Sequence, residues 1–189
     1  MPLIDPNKSP LGITRRLEGE TNPEYRRMLE EVRFHITVEA ACDVEPALAR
    51  LAPNPEYVLF DHSSSPVTIS GVDNVRRYFY DVLVARIDPR LEWDITRCLV
   101  DGRTVVTEGK MKNAIRGTTL ISMGFEQADP DTFYLQEAQH LVLWPFDEQL
   151  RLIGETVYYG YTSPLAESLN RPLTPDDIGS YTGPMYEIS

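Results

Sequence analysis

The sequence predicts an α+β fold: a curved antiparallel sheet wrapped around three helices from the N-terminal half, forming a cone with an internal pocket. Three observations carry this. Apolar residues recur at helical spacing from Tyr25 to Ala40. From Arg90 onward the chain reads as β runs, the first two joined at Asp101-Gly102, a strong hairpin signal. Helices come first and strands after, where an α/β fold would alternate them.

Each element has its own signal. Residues 1–21 are rich in Pro, Gly and charge without a period, and read as an N-terminal arm. Asn22 and Pro23 read as N-cap and first helical position, opening a helix over 23–41. Asp43 caps a shorter helix, "VEPALARLA". "EYVLFDH", 56–62, is a strand bounded by turn residues. Ser70 with Asp73 resembles a capping box and opens a third helix to Arg86, ended by Pro89. Residues 117–132 are ambiguous, a strand end and then a loop. "FYLQEAQHLVLWPF" and "LRLIGETVYYGYT" are strands, joined through Asp147-Glu148-Gln149. Residues 22–161 form the domain, and 162–189 an extended C-terminal tail.

Composition narrows the function. A formal charge of −11 argues against nucleic acid and anionic membranes, which attract through Lys and Arg. No apolar run is long enough for a membrane span, and the N-terminus lacks a secretory core, so a cytoplasmic protein is expected. Cys42 and Cys98 read as reduced and half-buried, outside any CxxC motif. His35, His62 and His140 lack the local spacing of a zinc site, so no metal is expected. No phosphate loop, GxSxG elbow or HExxH appears, and no cofactor is expected.

The order of elements, with "FDHSSSPVTISGVDNVRRYFYDVL" followed by "FDEQLRLIGETVYYG", resembles the nuclear-transport-factor-2-like superfamily, in its SnoaL-like branch, over 23–161. The resemblance implies a cone-shaped fold with an apolar pocket. Its members include ketosteroid isomerases, polyketide cyclases, scytalone dehydratases, limonene epoxide hydrolases, diarylpropane lyases and inert binding modules, so fold alone does not give function. Laid on the isomerase pattern, His35 falls at the oxyanion tyrosine when Asp43-Val44-Glu45 is the anchor. His62, with Asp61 beside it, falls at the catalytic aspartate when Gly71 is the anchor. Gln139, with His140 beside it, falls at the second aspartate when Phe146-Asp147-Glu148 is the anchor. All three identities differ from the isomerases, so that reaction is not expected.

The candidate catalytic residues are therefore His35, His62, Asp61 and Glu155. His35 suits acid–base work near neutrality, against the alternative of a flank histidine bonding a carbonyl. Neighbours on a strand face opposite ways, so either Asp61 or His62 enters the pocket; the anchor favours His62, with Val58 and Phe60 on its face. Glu155 and Tyr159 share the inner face of the last strand. Buried there, Glu155 is an acid–base group or a partner to a cation, with a rim salt bridge as the plain alternative. Phe60, Phe79, Tyr159, Gln139 and His140 are the candidate substrate contacts. Glu108, Lys110 and Lys112 alternate on a strand and read as a solvated face. Ten tyrosines suit a pocket for an aromatic ligand, or a well-packed core.

These readings lead to a cofactor-independent lyase or dehydratase acting by acid–base catalysis on a small hydrophobic, aromatic alcohol of diarylpropane or polyketide type. The alternatives are a SnoaL-like cyclase or isomerase, and a non-catalytic module that binds a hydrophobic ligand. The resemblance implies self-association through the open sheet face, as a homodimer or homotrimer. The tail from 162 either covers the cone mouth or reaches a neighbouring subunit.

Overall fold

A computed structural model describes residues 1–60, 65–162 and 165–186. Its element order is α1 (Leu11–Glu18), α2 (Pro23–Ala40), α3 (Glu45–Leu48), β1 (Glu56–Phe60), β2 (Val67–Ser70) and α4 (Val72–Arg77). A π-helical turn (Tyr78–Leu83) then leads into α5 (Val84–Arg86), β3 (Ile87–Asp101), β4 (Thr104–Arg116) and α6 (Gly117–Ser122). The chain continues through β5 (Phe133–Pro145), β6 (Gly154–Thr162), α7 (Leu165–Ser168) and β7 (Pro172–Leu173). One sheet runs in the order β2-β1-β6-β5-β4-β3, with β7 added to β5. Every pairing is antiparallel except β1 with β6. The α+β architecture is the one the order of signals predicts.

Helix α2 starts where its residues require. The Asn22 side chain accepts from the backbone N–H groups of Glu24 and Tyr25, and Pro23 occupies the first turn. Met28, Leu29, Val32 and Ile36 turn one stripe into the main core, against Trp93, Ile95, Val142 and Trp144 of the sheet. Arg50 holds both oxygens of Glu31 at 2.9 and 2.8 Å, which ties the stretch after α3 to α2.

Residues 1–21, read as an N-terminal arm, pack onto the sheet. They contain helix α1, and Ile4, Ile13 and Leu17 are buried. Gly12 lets α1 lie flat on β3, because a Cβ there would stand 2.6 Å from Ile95. The C-terminal tail also folds back. Leu173 and Ile178 join Ile4, Ala114 and Leu135 in a second cluster on the outer sheet face, and Ile4 bridges Ile178. Further on, Tyr186 lies under the Arg33 guanidinium, 4.1 Å from its ring centre. No described tail residue lines the cavity.

Other expectations are corrected in detail. Residues 117–122 form a helix, because Leu120 packs against Ile115, Ala128 and Tyr134. Ser70 ends a short strand, β2, and makes no cap; Gly71 precedes α4 without a side-chain cap. Cys42 is exposed rather than half-buried, and both cysteines are free. Glu108, Lys110 and Lys112 do lie on the outer face, where Glu108 pairs with Arg97 and Lys112 with Glu92. Among the described residues, no helix is long and apolar enough to cross a membrane.

Candidate active site

Between the helices and the concave sheet face lies a cavity of about 460 Å³. Its walls alternate along each strand as the pleat demands. Strand β1 contributes Tyr57 and Leu59, β4 Met111, Asn113 and Ile115, β5 Gln136, His140, Val142 and Trp144, and β6 Glu155, Val157 and Tyr159. The π-helical turn adds Tyr78, Phe79 and Leu83. A wider turn of this kind re-aims side chains and recurs at functional sites.

One buried ionic group marks the floor. His35 is one turn before Glu39 on α2, and its Nε2 lies 3.4 Å from Glu39 Oε1 and 3.2 Å from Glu155 Oε1. The contact with Glu155 is an ion pair without the alignment of a good hydrogen bond, since Glu155 Oε1 has no such partner among the described residues. Both carboxylates line the cavity, whereas His35, 3% exposed, stands behind them against the edge of Trp144. The expected pocket histidine is thus the support of two pocket carboxylates.

The local backbone explains the placement. Gly154 opens β6 at φ 146°, and a Cβ there would run into the Glu56 carbonyl oxygen. Without one, β6 closes on β1 with Glu155 opposite Tyr57. The Tyr57 hydroxyl is buried with no aligned partner. Burial, then the charge of Glu155, holds this phenol in its protonated form.

Protonation follows from the neighbours. Burial is the largest influence on His35 and opposes its charge. The charge of Glu39 and contact with Glu155 outweigh it, and the pKa is pushed up to about 10. Burial also raises Glu155; His35 pulls it back, and the charge of Glu39 adds to the rise. His140 has the opposite fate. It is buried without a charged partner among the described residues, and burial pushes it down to about 4, so it is a neutral imidazole near pH 7. Its ring meets Tyr159 edge-on at 4.6 Å. The Tyr159 hydroxyl is bonded to that of Tyr78, whose phenol burial keeps protonated.

The donor atoms of His35, Glu39 and Glu155 all lie within 4.8 Å of one another. That spacing would also admit a small cation; an imidazolium between two carboxylates already supplies a balancing positive charge.

The structure separates the sequence candidates. Glu155, Tyr159, Phe79 and His140 meet at the cavity. Phe60 does not: Tyr57 and Leu59 point inward, so Phe60 points outward and stacks on Tyr158 at 4.6 Å. Gln139 also faces outward, donating to Glu108 at 3.2 Å, because His140, Val142 and Trp144 hold the inner face of β5. Both corrections are slips of one residue, which reverse the face of a strand. Asp61 and His62 lie outside the described residues. Glu39 and Tyr57 were missed. The i,i+4 spacing of His35 with Glu39 was the available signal for one, and the alternation of Tyr57 with Leu59 for the other.

No protein-family model matches the chain, and no curated protein matches it. Solved structures do. A candidate SnoaL-like polyketide cyclase from Jannaschia sp. CCS1 is 16% identical with a TM-score of 0.57, over 78% of this chain and 93% of that one. A candidate polyketide cyclase from Xanthomonas campestris pv. campestris is 16% identical with a TM-score of 0.56, over 78% and 98%. A nuclear-transport-factor-2-like protein from Burkholderia pseudomallei K96243 is 16% identical with a TM-score of 0.55, over 77% and 96%. The chain has the nuclear-transport-factor-2-like fold. At this identity the likeness establishes fold and leaves activity to the residues of the cavity.

Proposed function

We propose that the protein is a cofactor-independent lyase or dehydratase acting on a small aromatic alcohol, with Glu155 as its acid–base group. The observation that carries this is a buried carboxylate of raised pKa, held by His35 and close to the charge of Glu39, on the wall of a largely apolar cavity. A general acid–base catalyst works best when its pKa approaches the working pH, and burial moves Glu155 that way.

In an elimination, the Glu155 carboxylate takes a proton from the carbon beside the carbinol. The C–H electron pair becomes the new double bond, the C–O bond breaks, and the departing hydroxyl takes the proton back as water. Glu155 ends as it began. Tyr57 and Tyr159 are phenol donors for substrate oxygens, and neutral His140 is either donor or acceptor. Phe79 and Trp144 supply flat walls for an aromatic ring. His35 orients Glu155 and favours its carboxylate form, while the charge of Glu39 raises its pKa.

The test is turnover of aromatic β-hydroxyketones and arylpropane diols by the purified protein without added cofactor, followed by loss of activity in Glu155→Gln. Formation of polyketide rings in place of elimination products supports a second reading, a cyclase or isomerase, which the candidate cyclases among the structural neighbours favour. Tight ligand binding with no turnover sinks both in favour of a binding module. Self-association is part of the proposal. On the outer face, Phe60 stacked on exposed Tyr158 leaves apolar area for a second copy, and light scattering would count the subunits.

A further inference from the structure

The cavity lining carries charge of both signs. At the floor, Glu39 and Glu155 outnumber the one imidazolium of His35. At the rim stands Arg86, an exposed residue and the one lysine or arginine that lines the cavity among the described residues. Neighbouring arginines are taken: Arg76 pairs with Glu45 and Asp73, and Arg90 with Asp88. Arg86 has no ion pair among the described residues. Its place is fixed through its backbone, whose carbonyl accepts from the Thr119 hydroxyl at 3.0 Å. Thr119, Ser122 and Met123 of the α6 end complete the same rim. On the cavity wall, the buried Asn113 Oδ1 has no hydrogen-bond partner among the described residues. In either orientation that amide offers a ligand one hydrogen bond.

We infer that the substrate is an aromatic acid, its carboxylate held at the rim by Arg86 and its reacting alcohol at the Glu155 floor. This rests on the elimination reading for the reaction, though the recognition itself does not need turnover. A guanidinium with free donors matches a carboxylate as a fork matches two oxygens. The floor carboxylates repel an anion, more strongly in a low-dielectric cavity than in water. An aromatic acid therefore has one favourable way in, with the neutral alcohol end leading. Arg86 sets specificity and orientation by this account and takes no part in proton transfer.

The test compares cinnamate with methyl cinnamate, equal in ring and chain but different in charge. Binding is measured by calorimetry, and quenching of Trp93 and Trp144 locates it, since both line the cavity and are the only tryptophans in the chain. The expected result is that cinnamate binds about tenfold more tightly than its ester. Arg86→Gln removes that preference and leaves the ester unchanged, while Arg86→Lys keeps part of it. Equal binding of the two, binding of neither, or a preference that survives Arg86→Gln overturns the inference. Carboxylate preference without any turnover refutes the lyase reading alone. Elimination from neutral alcohols with no preference for acids refutes this inference alone.

Discussion

His35 Nε2 lies 3.2 Å from Glu155 Oε1, joining the middle of the longest helix to the start of the last long strand. The contact spans most of the chain, and both groups are nearly removed from solvent, at 3% and 8% exposure. A buried charge without a partner is costly, so each group is tolerable because of the other.

The first prediction concerns that pair. Glu155→Gln keeps the shape of the floor and removes its proton carrier. Turnover of the best alcohol found is expected to fall by about 10² to 10⁴, with ligand affinity nearly unchanged. Glu39→Gln acts at one remove. It takes away the leading influence that keeps His35 charged, and its expected signature is a displaced pH–rate profile rather than a dead enzyme. If both variants turn over like wild type, Glu155 is a structural acid and the reaction lies elsewhere.

The second prediction is a stability curve with two limbs from two buried histidines. The folded-state pKa of His35 is raised from 6.5 to about 10, so its contribution is complete below about 6.5 and is lost as pH rises through 10. Glu155, also raised, binds its proton more firmly in the folded state and tilts stability the same way. His140 is lowered from 6.5 to about 4, so the unfolded chain takes up its proton first and stability is lost as pH falls from 6.5 toward 4. Thermal unfolding across pH is expected to peak near neutrality. Histidine proton resonances give the direct check: one ring still charged at pH 9, and one still neutral at pH 5. Two rings titrating together near 6.5 would contradict this assignment.

The errors in reading the sequence have physical causes. Helix α2 was legible because cap, first-turn proline and apolar stripe agree within one segment. Helix α1 was not. Of its eight residues only Ile13 and Leu17 make an apolar pair facing the core, and their partner Ile95 lies far along the chain. Phe60 and Gln139 failed because a loop anchor fixes strand register only to within a residue, and one residue changes the face. His35 was legible as a buried polar group, but its place behind Glu39 and Glu155 depends on β6, which helical spacing cannot reveal.

Register is also the subject of the third prediction. Gly154→Ala puts a Cβ against the Glu56 carbonyl, at a φ that side chains rarely adopt. Backbone strain of this kind costs about 1–3 kcal/mol before any clash is counted. The variant is expected to unfold at lower temperature and to lose activity further than stability explains, because β6 can relieve the contact only by moving Glu155 from its place opposite Tyr57. A variant with wild-type melting and turnover would show that this end of β6 gives way freely.

The fourth prediction tests what the first residues do. Ile4, Ile13 and Leu17 are 0%, 0% and 5% exposed, and burial of each is worth roughly 1.5–3 kcal/mol. Their loss approaches the whole stability of an ordinary domain, about 5–15 kcal/mol. Truncation at residue 18 would also bare Ile95 and remove the Asp5 and Lys8 contacts to buried Glu92, leaving Lys112 as its cation. It would also release Ile178, which bridges Ile4, so the tail should loosen together with the N-terminus. The shortened chain is expected to be largely unfolded at 25 °C by near-ultraviolet circular dichroism, and any folded fraction should exchange its 172–178 amides quickly. A truncated chain that melts within a few degrees of the full one would show that residues 1–18 contribute little to the stability of the domain.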